Sequence, residues 1–164
     1  MYKRKKDSIL IFYRADLLLK SLNDKDYFYL PKEDQLDMRK RLKEIVSEEK
    51  CLGLIERGMM LQYMLDELIG YSILGPHLRN KNVNHIQIFK NFSIMVCNKG
   101  KPIKCIEKFK NEDHLTIILN RLIHPDKVDL HKVQEYSIRN DLIVKTSLNS
   151  DNSTALLAEI YDNR

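Results

Sequence analysis

A chain of 164 residues has the usual size of one domain and can bury a hydrophobic core without disulfide or metal staples. Its apolar share of 43% with 31% charged residues excludes a disordered tail and a membrane bundle, and a net charge of +5 does not by itself imply nucleic acid, because 23 acidic residues interrupt the 28 basic ones. The run Lys3-Arg4-Lys5-Lys6 precedes an apolar stretch, but Arg14 and Asp16 break it short of spanning length, so neither export nor a membrane span is expected.

Residues 8 to 22 carry a dense apolar set and read either as a short strand running into a helix or as one helix. After the turn at Asn23-Asp24-Lys25-Asp26, Pro31 suits the first turn of a helix, where its missing N–H is harmless. Leu42, Ile45, Val46 and Leu52 form the stripe of that helix, which is expected to end near Gly53. A second helix spans residues 54 to 69, with Leu54, Leu61, Met64, Leu65, Leu68 and Ile69 on one side and Gly70 as its stop. From Val83 to Ile106 apolar residues recur mainly at spacing two, with reversals at Lys90-Asn91 and Lys99-Gly100, which predicts a three-stranded meander. Asn111 caps a third helix, with Leu115, Ile118, Leu119, Leu122 and Ile123 on its apolar face and His124-Pro125 at its end. Leu142 to Thr146 and Ala155 to Tyr161 read as two strands around the turn 149–153. Helices followed by sheet, helix and sheet make an α+β arrangement, N-terminal helices before a small, mostly antiparallel sheet with one or two packed helices.

Motifs for chemistry are sparse. The five glycines form neither GxxxxGK[ST] nor GxGxxG, so no backbone cradle for phosphate is expected. The five histidines never pair at i, i+4 with a glutamate, and scattered surface or capping roles explain them better than a metal does. Cys51, Cys97 and Cys105 contain no CxxC pair and are read as buried thiols in a reducing cytoplasm. Lys99 and Lys101 lie close enough to Cys97 to activate it, but a cysteine in an apolar alternation is more often core. Lys99, Lys101, Lys104, Lys108 and Lys110 make a basic edge, either a phosphate track or, as the stronger reading, protection of an edge strand against aggregation.

One stretch reaches beyond local pattern. Gly70-Tyr71-Ser72-Ile73-Leu74-Gly75-Pro76-His77-Leu78, followed by Val83 and His85-Ile86-Gln87-Ile88, resembles the family pattern G-x-G-P-L-x-x-L-L and V-x-E-I-x-V-N-G. That pattern belongs to the N-terminal domain of the type II and type IV secretion and pilus-assembly ATPases, with the tight-adherence pilus branch nearest. Phe109 to Leu115 is similar to the family's F-x-x-E-x-H-L, and Leu148 to Thr154 takes the place of its L-x-D-G-S-R turn. The likeness covers about residues 54 to 160 in order. His85 stands where the family has glutamate, Phe89-Lys90 where it has Asn-Gly, and Thr154 where it has arginine, which weakens any role in holding nucleotide.

The resemblance implies an N-terminal helical extension, residues 1–53, and an α+β domain, residues 54–164, that docks without catalysing, has no cofactor or metal of its own, and lacks the P-loop motor domain that follows in the family. Implied partners are that motor domain or neighbouring subunits, including further copies of the chain, and an inner-membrane platform protein. The location implied is cytoplasmic, extending to the inner face of the membrane if Lys3 to Lys6 meet anionic lipid; a solvated terminus is the plainer reading of that run. Tyr71, Leu74, Pro76, Lys99, Lys101 and Lys104 are the candidate interaction residues. The alternative is a nucleic-acid-binding regulator that uses residues 31 to 69 as a helical pair and the lysine-rich meander as a wing.

Overall fold

The computed structural model describes residues 11, 13–22, 27–139, 142–147 and 156–162. The architecture is α+β, with five helices and a six-stranded antiparallel sheet among the described residues. Two compact units divide the chain, Met1–Ser72 and Ile73–Arg164. The sequence reading placed a division before residue 54, whereas the helix from Leu54 packs with the helix before it in the first unit.

The first unit is helical. Residues 13–20 form α1, Lys32–Ser47 form α2 and Leu54–Ile69 form α3. Each offers apolar residues one turn apart, Ile11 and Ala15, Met38, Leu42 and Val46, and Met60 and Met64, and these bury together with Leu22 and Leu52. Polar contacts pin α1. Arg14 pairs with Glu49 at 3.0 Å, and the Tyr63 hydroxyl donates to Asp16 at 2.9 Å. Burial, then the charges of Glu67 and Asp16, pushes the Tyr63 hydroxyl far above its ordinary range, so it remains a donor.

Several boundaries differ from the sequence expectation. Pro31 sits just before α2 as its cap residue. That helix stops at Ser47, and Gly53 opens the next one, its N–H donating to Glu56 Oε2 at 2.7 Å. Leu54 faces solvent at 88% exposure, because Met60 and Met64, which face the core, lie on another side of the helix. Gly70 does end α3, where a Cβ would approach the Asp66 Cα to 2.9 Å.

The second unit begins with a short helix, α4 (Gly75–Arg79), which the sequence reading did not resolve. The strands are β1 (Val83–Phe89), β2 (Ser93–Asn98), β3 (Lys101–Lys108), β4 (Gln134–Arg139), β5 (Leu142–Thr146) and β6 (Leu156–Asp162), with α5 (Glu112–Ile123) between β3 and β4. Their order in the sheet is β3-β2-β1-β6-β5-β4. The expected meander is β1 to β3, and the two expected late strands are β5 and β6; their turn at 149–153 lies outside the described residues. Asn111 caps α5 by accepting from the His114 N–H at 2.9 Å.

One face of the sheet is core. Val96, Ile86, Ile160 and Val144 are successive cross-strand partners and all buried. Leu115, Ile118, Leu119, Leu122 and Ile123 of α5 are buried too, as a helix covering one side of a sheet requires. At the end of that row Ile103 on β3 is 48% exposed, and Ile106 is 79% exposed. Their apolar spacing foretold strand but not burial, since an edge strand has a neighbour on one side only.

Candidate functional site

The face of the sheet opposite the core carries the most organised set of polar side chains. Because side chains alternate along a strand, residues one step off the buried row all point to this second face. Lys104, Met95, Gln87, Glu159, Lys145 and Glu135 form one transverse row from β3 to β4. Pro102, Cys97, His85, Tyr161, Ile143 and Ser137 form the next.

Glu159 is the centre. Its Oε1 lies 3.0 Å from His85 Nε2 and accepts from Gln87 Nε2 at 3.3 Å. The His85 ring stacks on Tyr161 with centroids 4.4 Å apart and planes 12° from parallel. Burial, then the charge of Glu159, raises the Tyr161 hydroxyl above its ordinary value and keeps it protonated. Lys145 stands 5.6 Å over the other partner of that stack, Tyr161, and pairs with Glu135 at 2.8 Å. The hydrogen bond from Lys145 to Glu135 raises its pKa and keeps it charged. The result is a connected set in which Lys145 is matched by Glu135, Glu159 is held by His85 and Gln87, and the Tyr161 ring is held in place.

The candidates from sequence are distributed as follows. Tyr71 is half-buried in the first unit, its ring 5.7 Å from Phe28. Leu74 is fully buried and therefore presents nothing to a partner. Pro76 is exposed at the opening of α4. Lys99, in the β2–β3 turn, and Lys101 and Lys104, on β3, are exposed on one hairpin. The sequence reading weighs His85 among the histidines and as a departure from a pattern, and does not single out Glu159, Tyr161, Lys145 or Glu135. The available signal was the polar pair His85 and Gln87 at spacing two within an apolar strand; the partners on β5 and β6 are 58 or more positions away.

The cysteines are less buried than expected, Cys51 exposed and Cys97 and Cys105 half-buried, because each lies at a loop or near the edge of the sheet. Cys97 stands across from His85, yet no hydrogen bond joins them and the imidazole Nε2 is held by Glu159. Cys105 Sγ lies 3.4 Å from His77 Nε2. Burial lowers the His77 pKa and pushes the Cys105 thiol up to about 11, so this pair is neutral rather than a thiolate and an imidazolium.

A cavity of about 240 Å³ is lined in part by Lys90, Phe92, Glu112, His131 and Ser147. Glu112 and His131 already pair across it at 3.2 Å, and its volume is under the roughly 300 Å³ where small-molecule sites begin. Among the described residues no three His, Cys, Asp or Glu side chains are placed to hold a metal ion, and no helix is long and apolar enough to cross a membrane. Comparison with protein-family models and with curated proteins finds no match to this chain.

Proposed function

We propose that the chain is a non-catalytic docking and assembly module of the kind found at the N-terminus of secretion and pilus-assembly ATPases, binding a motor domain or neighbouring subunit and, through the assembly, the inner-membrane platform. The observation that carries this reading is the second face of the sheet, where the partly exposed side chains of His85, Glu159, Tyr161 and Lys145 hold one another in fixed geometry. Side chains already held by one another around a central aromatic suit a protein interface, where ordering flexible side chains is a main cost of association. The resemblance supports it through Gly75-Pro76 at the start of α4, His85 to Ile88 in β1 and Asn111 to Leu115 at the start of α5.

The test is binding of the purified chain to the P-loop motor protein of a secretion or pilus system from the same cells. The expected result is a stable complex that Tyr161→Ala and Glu159→Lys each weaken at least tenfold while circular dichroism stays unchanged. No binding at about 100 μM would overturn the reading.

The second reading, nucleic-acid binding, is favoured by Lys99, Lys101, Lys104 and Lys108, which are exposed and make no ion pair among the described residues. Its signature is affinity for DNA that falls steeply with salt.

A further inference from the structure

The strand β3 ends the sheet, so its inner side is paired with β2 and its outer side is open among the described residues. The turn into it has two residues, Lys99 and Gly100, with φ of 50° and 76°, the signature of a two-residue hairpin turn. In such a hairpin the flanking pair, Asn98 with Lys101, exchanges hydrogen bonds, and bonded and non-bonded pairs alternate from there as far as Met95 with Lys104, beyond which the register shifts so that Ser93 stands across from Lys108. Cys97 with Pro102 and Met95 with Lys104 are thus non-bonded pairs, whose β3 backbone groups point outward. Pro102 has no N–H to offer. Lys104 is therefore the first residue to present both a donor and an acceptor to solvent.

Two further features lie on the same edge. Lys101, Lys104 and Lys108 are exposed and make no ion pair among the described residues, and outnumber the one exposed acid of the strand, Glu107, whereas at the opposite edge Glu135 of β4 is neutralised by Lys145. Ile106, at 79% exposure, adds an apolar side chain that a lone edge strand would not display for its own stability. A phosphate surface would use only the lysines. A polypeptide in extended form uses lysines, open backbone and isoleucine together.

We propose that the outer edge of β3, from Lys104 to Lys108, accepts an extended acidic segment of a partner protein as a seventh strand. Carboxylates of the segment pair with Lys104 and Lys108, its backbone bonds to the edge, and an apolar side chain covers Ile106. Pro102 sets where the added ladder starts. This deepens the docking reading and rests on it only for which protein supplies the segment.

The test is a titration of the isotopically labelled full chain, followed by NMR, with an acetylated ten-residue peptide alternating Glu and Val. Two isomers N-methylated at alternate residues, one on each peptide edge, serve as controls, with a single-stranded 20-nucleotide DNA as a competing probe. The expected result is shifts and slowed amide exchange confined to β3, with one N-methylated isomer binding at least tenfold more weakly and the other equally. Lys104→Glu with Lys108→Glu should weaken the peptide at least tenfold, and Lys104→Gln with Lys108→Gln should fall between. Equal binding by both isomers would overturn strand addition, because charge alone would then explain the affinity. Binding of the DNA with no binding of the peptide would overturn it in favour of a phosphate partner. Loss of motor binding with the peptide result intact would count against the docking reading alone.

Discussion

At the scale of single residues, environment decides chemistry more than residue type does. His77 and Cys105 are side chains that elsewhere perform acid, base or nucleophilic work, yet burial holds both neutral 3.4 Å apart. For His77 burial lowers the pKa, opposed in smaller part by Glu107, so the folded state prefers the neutral ring. Below the ordinary value of 6.5 the unfolded chain takes up a proton that the folded chain resists. The stability associated with His77 is thus complete above 6.5 and declines as pH falls below it. Thermal unfolding at pH 7 and pH 5.5 should show a decrease that becomes smaller in His77→Gln; an unchanged decrease would mean that other groups set the acid response.

At the scale of elements, local chemistry explains the turns and strand pairing explains the rest. The β2–β3 turn puts a lysine at φ 50°, a conformation that disfavours a side chain with a Cβ and suits asparagine or glycine. Lys99→Asn should stabilise the protein by about 1 kcal/mol, read as a higher midpoint in urea with an unchanged slope. A fall in the midpoint would show that Lys99 supplies something the turn needs.

The same scale separates what was legible from what was not. The caps Asn111 and Gly70 and the hairpin signal Lys99-Gly100 were readable because a turn or helix end is a property of a few adjacent residues. Strand β4 was not, since Gln134 to Arg139 lies at an edge and has little apolar alternation; it is held instead by Thr146 Oγ1, which accepts from the Gln134 N–H at 3.0 Å and donates to the Lys132 carbonyl at 2.5 Å. Gly53 could equally end one helix or begin the next, and the bond from its N–H to Glu56 settles the matter.

At the scale of the whole molecule, the chain divides into a helical unit with its own core and a sheet unit with another. Leu42, fully buried in the first core, packs among α1, α2 and α3 residues. Leu42→Ala should cost about 3 kcal/mol of stability in that unit. Native-state hydrogen exchange should show faster opening of α2 and α3 with β1 and β2 unaffected; equal acceleration of the strands would mean that the two units unfold as one.

The sequence by itself determined the α+β class, the apolar stripes of α2, α3 and α5, the meander and most of its reversals, because periodicity and turn chemistry act over a few residues. Only the tertiary structure decided that β6 inserts between β1 and β5, which brings Glu159 and Tyr161 beside His85 across more than 70 positions. It also makes β3 an edge, in keeping with the stronger reading of its lysines, and leaves Ile106 exposed, which apolar spacing alone does not specify. The physical reason is that burial depends on which strands become neighbours, and in an antiparallel sheet that choice is made by long-range pairing, not by the residues of one strand.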